Sequence, residues 1–181
     1  MKRRAFFGAA TAAAASTLAM PAIAQGNISW RMVTTWPKNF PGLGVGAQNL
    51  ADRIGKASGG RLTIQVFAAN EMVPALGAID AVIDGSAEMS HGTPYYWQNK
   101  SQGLSFFTGV PFGMTSRELT AWVRYLGGQQ LWDKIYDQFG LIGMLSGDTG
   151  TQAGGWFRNE LTGVADIQGL RFRTPGLGGQ V

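Results

Sequence analysis

Short apolar stretches of two kinds alternate along the chain after residue 25. Residues 28–33 alternate hydrophobic and polar side chains, and residues 62–67 repeat that two-residue period, which predicts two β-strands. Apolar residues between them recur at helical spacing and end at Gly59-Gly60, which predicts a helix. Further strands are predicted at 87–90, 141–145 and 170–174, with helices between the first two of them and a loop and a turn before the last. This alternation indicates an α/β fold with a largely parallel sheet.

Three more helices are predicted from apolar residues that recur every three or four positions. The first opens at Pro74, where the missing amide hydrogen costs nothing, and its predicted apolar face is Leu76, Ile79, Val82 and Ile83. The second is predicted to have Ser116 as its cap, with inward residues Leu119, Val123 and Leu126. Beyond Gly127-Gly128, the third has a predicted inward face of Leu131, Ile135 and Phe139.

The first 25 residues differ from the rest of the chain. Three basic residues precede an uncharged, alanine-rich run that ends at Met20, and Ala22-Ile23-Ala24 is a small-x-small cleavage site. This order predicts a secretory signal peptide over residues 1–25, because the run is shorter than the ~20 residues of a membrane span. Arg3-Arg4 also fits a twin-arginine export signal, although an ordinary basic region can contain two arginines by chance.

Charge and composition narrow the function classes. Of 15 basic and 11 acidic residues, three basic ones lie in the predicted signal peptide, which leaves 12 against 11, a net charge of +1. A nearly neutral domain lacks the positive surface of a nucleic-acid-binding protein, so no nucleic-acid partner is expected. The sequence has no cysteine, so an exported form would be stabilised by its core without disulfides.

Signals for catalysis are weak. His91 is the single histidine, and neither a nucleophile-elbow motif nor a zinc-ligand set is present in the sequence. The pattern therefore predicts no catalytic residue and a protein that is not an enzyme. We expect His91 to form local hydrogen bonds at the end of its strand, and its aromatic neighbours leave a binding role open.

Aromatic and arginine residues are the stronger candidates for binding. Ligands of parallel α/β sheets bind beyond the carboxyl ends of the strands, where loops or strand ends hold Trp36, Phe40, Tyr95, Tyr96, Trp97 and Trp156. Arg171 and Arg173 lie two positions apart in a predicted strand and therefore share a face. In a cleft, one guanidinium could clamp a carboxylate through two parallel hydrogen bonds. A solvated edge face is the alternative.

Five segments in order resemble one family. They are similar to the substrate-binding proteins of tripartite ATP-independent periplasmic (TRAP) transporters, of the DctP type, and within it to the 2-oxo acid-binding subgroup. The matching segments are 35–42 (TWPKNFPG), 91–97 (HGTPYYW), 110–114 (VPFGM), 150–157 (GTQAGGWF) and 169–176 (GLRFRTPG).

The resemblance implies a periplasmic-binding-protein-like fold with two α/β lobes and a ligand cleft between them. Residues 26–148 would form the first lobe and residues 149–181 the start of the second. Family members are considerably longer, so we expect a C-terminally truncated chain. In the 2-oxo acid subgroup, an acidic residue and a tryptophan beyond residue 181 would complete the ligand and cation site.

The resemblance also implies roles for individual residues. Arg173, or less favourably Arg171, would pair with the carboxylate of a 2-oxo or 2-hydroxy monocarboxylate. Gln152 would contact the ligand and a bound cation. Tyr95 and Tyr96 resemble residues of the cleft loops, and neighbouring wall positions are Trp36 and Phe40. No cofactor is required, although a sodium or calcium ion could bridge the ligand and the protein.

The same resemblance implies a periplasmic location and integral membrane permease subunits as partners. It does not decide whether the protein forms a homodimer. Two alternative functions share this scaffold: a binding protein for an ATP-driven importer and a periplasmic enzyme. A sensor or chaperone role also stays open at this point.

Overall fold

The computed structural model describes residues 26–150, 152–174 and 176–179. Its strands are β1 Ile28–Thr34, β2 Leu62–Phe67 and β3 Met89–His91. In the described part of the chain they form one parallel sheet in the order β2-β1-β3. The α/β fold and the parallel sheet predicted from the sequence are confirmed. The signal peptide predicted for residues 1–25 lies outside the described residues.

Helices connect and cover these strands. The α-helices are α1 Leu43–Ala57, α2 Ala78–Ile83, α3 Ser116–Tyr125 and α4 Gly128–Tyr136. Short 3-10 helices span Ala75–Gly77, Pro94–Trp97, Gln102–Phe107, Asp137–Phe139, Val164–Ile167 and Gly176–Gly179. Helix α1 links β1 to β2, and α2 follows β2 on the way to β3, which pairs with the other edge of β1, so β1 is the central strand. No helix in the described ranges is both long enough and apolar enough to cross a membrane.

The central strand contributes to a core on each face of the sheet. Met32 and Val33 are consecutive in β1, so their side chains point to opposite faces, and both are almost completely buried. Met32 packs with Ala47 and Ala51 of α1. Val33 belongs to a larger cluster to which α2, α3, α4 and the 3-10 helices at 94–97 and 102–107 contribute.

Stacked aromatic rings join α3 and α4 to the larger core. The ring of Phe107 stacks on Trp122 of α3 at 5.4 Å and on Trp132 of α4 at 4.9 Å between centroids. Tyr136, one helical turn after Trp132, meets it edge to face at 5.7 Å. Offset and edge-to-face contacts are the arrangements that aromatic pairs prefer, so this stack fixes the two helices against the loop at 102–107.

The inward faces predicted for α3 and α4 are partly wrong. The buried side chains of α4 are those of Trp132 and Tyr136, with Gly128 buried at its start, whereas Leu131 is 48% exposed. The two aromatic residues have more apolar surface to bury than the leucine, which rotates the helix towards them. Val123 is buried in α3 as predicted, but Leu126 is 72% exposed. Leu126 is the C-cap with non-helical angles, so helical spacing no longer applies to it.

Two helix starts also differ from the prediction. Thr115, not Ser116, caps α3: its hydroxyl accepts a hydrogen bond from the Glu118 amide, and the Glu118 carboxylate accepts one from the Thr115 amide. Thr115 was missed because Ser and Thr are both good caps and stand side by side. Leu76 is 59% exposed and lies in the 3-10 turn Ala75–Gly77 before α2, so the α-helical spacing used for the prediction does not apply to it.

Two predicted strands are not strands in the described structure. Residues 141–145 run without regular structure, although Leu141 and Leu145 pack on the larger core while Ile142 and Met144 are exposed. Residues 170–174 are likewise irregular, and all five are exposed. A strand is defined by its hydrogen-bonded partner, and neither segment pairs with a described strand, so the local sequence pattern alone does not make a β-strand.

Candidate functional site

The carboxyl ends of β1 and β3 meet at one edge of the sheet. Thr34, the last residue of β1, is in register with His91, the last residue of β3. The chain therefore places Trp36, which follows β1, next to the 3-10 helix at 94–97, which follows β3. This is the edge at which parallel α/β sheets bind ligands.

Five rings gather there into what we call the aromatic cluster: Trp36, Phe40, His91, Tyr95 and Tyr96. Trp36 stacks on Phe40 with 6.4 Å between ring centroids and lies 6.4 Å from Tyr96. Tyr95 and Tyr96 meet edge to face at 4.9 Å. The four aromatic residues predicted to line a site thus lie together, with Phe40 42% exposed at the surface.

His91 links two distant parts of the chain through this cluster. The Trp36 indole Nε1–H donates to His91 Nδ1 at 2.7 Å, and His91 Nε2 lies 3.0 Å from Ser146 Oγ. Since Nδ1 accepts, the ring proton is on Nε2 and is donated to Ser146. Burial lowers the pKa of His91, which favours this neutral form. The expectation of purely local hydrogen bonds is wrong, because both partners are 55 residues away in sequence.

Tyr95 connects the aromatic cluster with the C-terminal segment. Burial, followed by its neighbour Tyr96, raises the pKa of Tyr95 to about 12, and the positive charge of Arg173 acts in the opposite direction. Gly176 lies so close to the Tyr95 ring that a Cβ there would be 3.4 Å from Cγ. The segment containing Arg173 therefore passes the aromatic cluster, with the arginine itself exposed.

Gln152 and Arg171 lie outside the cluster in this structure. Gln152 is exposed, and its side-chain amide donates to Thr149 Oγ1 at 2.7 Å. Arg171 is exposed and takes no part in the ion pairs of the described residues. The roles predicted for both residues stay predictions.

Two other aromatic candidates do not join the cluster. Trp97 is a core residue whose Nε1–H donates to the Leu76 carbonyl at 2.7 Å. Trp156 is 93% exposed. Trp97 directly follows Tyr95 and Tyr96 in the sequence, yet it lies in the core. Sequence position after a strand therefore does not distinguish residues of the aromatic cluster from core residues.

An apolar groove of about 680 Å³ lies between α3, α4 and residues 103–114. Thr108 and Lys134 are the polar side chains in its lining. None of the predicted site residues lines it. Because this lining is mainly apolar, the groove suits an apolar binding partner better than a small carboxylate, which needs a fixed set of hydrogen-bond donors.

The residues available to a metal ion are few. Within the described ranges there is no group of three or more His, Cys, Asp and Glu side chains that could hold one. The Gln152 NH₂ group donates to Thr149 Oγ1, which leaves the carbonyl oxygen as the side-chain atom that could act as a ligand. An amide oxygen suits sodium or calcium, which prefer oxygen ligands and take several of them. Gln152 thus fits as one ligand of such an ion.

Comparison with known proteins gives one family. The model of the bacterial extracellular solute-binding proteins, family 7 (DctP), matches residues 32–181. A monocarboxylate 2-oxoacid-binding periplasmic protein of Nostoc sp. (strain PCC 7120) is 45% identical over 155 residues, which are 86% of this chain and 42% of the relative. The chain therefore spans less than half the length of this curated relative.

Solved structures agree with this match. A TRAP periplasmic solute-binding protein of Pseudoalteromonas atlantica T6c, with bound sodium and pyruvate, is 44% identical with a TM-score of 0.80. One from Colwellia psychrerythraea, with bound calcium and pyruvate, is 42% identical with the same TM-score. Each match covers 85% of this chain and 47% of the solved one.

A third structure, from Bordetella bronchiseptica RB50, is 35% identical, with a TM-score of 0.82 over 85% of this chain and 46% of its own. It is a mixed-occupancy dimer with calcium and picolinate in one site and an apo second site. The family model covers most of the chain, and the relatives share both its sequence and its fold. The chain belongs to the bacterial extracellular solute-binding proteins, family 7, the DctP family.

Proposed function

We propose that the whole protein captures a small 2-oxo or 2-hydroxy monocarboxylate in the periplasm and delivers it to the membrane permease of a TRAP transporter. The observation that carries this proposal is the aromatic cluster at the edge where β1 and β3 end, against which Gly176 of the C-terminal segment packs at the Tyr95 ring. Two relatives with more than 40% identity hold pyruvate, which supports the ligand class.

The chemistry of Arg173 suits a carboxylate. Its planar guanidinium presents two parallel donors that match the two oxygens of a carboxylate. The rings of Trp36, Phe40, Tyr95 and Tyr96 offer apolar walls for the short carbon chain, and the tyrosine hydroxyls offer polar tips. A ligand with one carboxylate and few carbons fits this combination better than a sugar or a dicarboxylate.

Gln152 and a cation would complete the polar contacts. The amide can donate to an oxo group or accept from a hydroxyl group, which suits both 2-oxo and 2-hydroxy acids. A sodium or calcium ion could bridge the ligand and the carbonyl oxygen of Gln152. Relatives crystallised with either ion support this part of the proposal.

Capture and release need no chemical step, so the proposed function is not enzymatic. Closure of two lobes around the ligand would exclude water and strengthen the pair between Arg173 and the carboxylate. Export by the segment at 1–25 would bring the protein to the periplasm. The permease subunits are the proposed partners, and the dimeric relative from Bordetella bronchiseptica makes a homodimer a form to test.

Thermal unfolding of the whole protein with a panel of ligands tests this function. A ligand that binds only the folded state stabilises it by about 2.7 kcal/mol at a concentration 100 times its Kd. We expect pyruvate and lactate to raise the unfolding midpoint, and succinate, alanine and glucose to leave it unchanged. A shift with a dicarboxylate, amino acid or sugar, and none with a monocarboxylate, would contradict the proposed ligand class.

A further inference from the structure

The indole of Trp36 is held unusually firmly for a loop residue. Its Nε1–H donates to His91 Nδ1 at 2.7 Å, and the side chain is 9% exposed. Its backbone carbonyl accepts hydrogen bonds from the Ala69 amide at 2.8 Å and from Thr34 Oγ1 at 3.2 Å. Among these contacts, only the bond to His91 fixes the rotation of the indole ring.

His91 also reaches across to another segment. Its Nε2 bonds Ser146 Oγ at 3.0 Å, and Ser146 follows the irregular residues 141–145. The imidazole therefore bridges the loop after β1 and the segment that precedes the proposed second lobe. The backbone supports this bridge, because the Thr35 amide donates to the His91 carbonyl at 3.1 Å.

We propose that His91 is a positioning residue of the ligand site: it fixes the Trp36 indole in the wall of the aromatic cluster and ties it to Ser146 without touching the ligand. This inference rests on the proposed function, since the wall is useful only if the cluster receives a ligand. Trp36 transmits the effect because its ring stacks on Phe40 and meets Tyr96.

The bridge works only with a neutral imidazole. An imidazolium would present Nδ1–H to the Trp36 Nε1–H, and two donors cannot bond each other. The side chains that bond the ring, Trp36 and Ser146, are uncharged, and burial is the chief influence on its pKa. Tyr96 is the titratable side chain that meets Trp36, and Tyr95 packs on Tyr96. The pKa of Tyr95 is raised to about 12, so Tyr95 stays neutral over the same pH range. Weaker ligand binding at acidic pH therefore follows from His91 itself.

The test combines affinity with the state of the single imidazole. Pyruvate affinity of the whole protein is measured between about pH 8 and pH 4.5, and the His91 signal is followed by NMR, which is unambiguous because the sequence has one histidine. We expect affinity to fall as His91 becomes protonated. Constant affinity through the His91 titration would overturn the proposal.

Variants of His91 and Trp36 distinguish loss of the His91–Trp36 hydrogen bond from a general disturbance of the fold. His91→Leu removes one neutral hydrogen bond to Trp36 and should weaken pyruvate binding about two- to tenfold. His91→Asn keeps an acceptor near Nδ1 and should recover most of that loss. In a Trp36→Phe background, His91→Leu should have no further effect on affinity. An equal loss from His91→Leu in both backgrounds would contradict positioning through Trp36.

One measurement needs no ligand and therefore distinguishes failure of this inference from failure of the proposed function. The indole N–H signal of Trp36, identified by its absence in Trp36→Phe, should exchange slowly with water in the wild type and faster in His91→Leu. If the indole N–H exchanges slowly in the wild type and faster in His91→Leu, but no monocarboxylate binds, His91 still positions Trp36 and only the proposed ligand class is rejected. Equal exchange rates in the two proteins would reject the positioning role.

Discussion

At the scale of single residues, Glu88 fixes the start of the short edge strand. Its carboxylate accepts from the Arg31 amide at 2.6 Å and from Arg31 Nη2 at 2.7 Å. The hydrogen bond from the Arg31 side chain, together with that from its backbone amide, lowers the pKa of Glu88 from 4.5 to about 2. Because β3 ends three residues later at His91, this pair also holds the register that places the aromatic cluster.

We expect Glu88→Gln to lower the thermal unfolding midpoint at pH 7. The folded pKa is depressed, so the stabilisation is present above the unfolded value of 4.5 and is lost as pH falls towards about 2. The difference in unfolding midpoint between the wild type and Glu88→Gln should therefore become smaller as the pH falls from 4.5 towards about 2. The effect is modest, because both side chains are partly exposed and screened.

Glu160→Gln is the matched control for this prediction. Glu160 is exposed and makes no hydrogen bond or ion pair within the part of the chain that the structure describes. Its variant should unfold at the wild-type midpoint across the same pH range. A Glu88→Gln difference that stays constant from pH 7 to pH 2 would contradict the role of the ionised carboxylate.

The sequence predicted the aromatic members of the cluster but not the bonds that hold them. The sequence was sufficient to predict that four aromatic residues lie together, because parallel strands bring their carboxyl ends to one edge of the sheet. These residues are Trp36, Phe40, Tyr95 and Tyr96. Ser146 was missed, since no period or motif connects it with His91, 55 residues earlier. Such a pair is visible only after the chain has folded.

At the scale of elements, the capping box of α3 is a defined determinant of stability. Thr115→Ala should lower the free energy of unfolding by about 0.5–2 kcal/mol, because it leaves the Glu118 amide without its side-chain acceptor. Ser116→Ala, at the first helical position, should change it much less. Urea denaturation followed by circular dichroism measures both, and a larger loss for Ser116→Ala would place the cap one residue later than the structure does.

Elements with a strong local pattern were the ones predicted correctly. The strands β1 and β2 and helix α1 agree with the sequence to within a few residues, because each has a regular period of apolar residues in its own sequence. The orientation of α4 was wrong because the stack on Phe107 draws in Trp132 rather than Leu131. The segment 141–145 is a short apolar run and the segment 170–174 alternates apolar and polar residues. Neither has a hydrogen-bonded partner strand among the described residues, which no local pattern can supply.

At the scale of the whole molecule, the described strands and α-helices all lie before residue 140. Gln152 and Arg173 lie in the later segment, which is mostly exposed and includes Trp156 and Phe172. The lobe boundary at residue 148 stays a prediction, as does a ligand cleft formed with a second lobe. The account thus depends on Arg173 meeting a carboxylate beside the aromatic cluster.

Calorimetric titration of pyruvate into the whole protein tests that central claim most directly. Arg173→Ala removes the charge-assisted hydrogen bonds and should weaken pyruvate binding about ten- to a hundredfold. Arg173→Lys keeps the charge but loses the planar fork of donors, so its affinity should lie between those of Arg173→Ala and the wild type. Arg171→Ala, tested beside them, examines the alternative anchor, and Arg158→Ala controls for the loss of one exposed positive charge. The account predicts the large loss at Arg173 and wild-type affinity for Arg158→Ala. Full affinity in Arg173→Ala would contradict it.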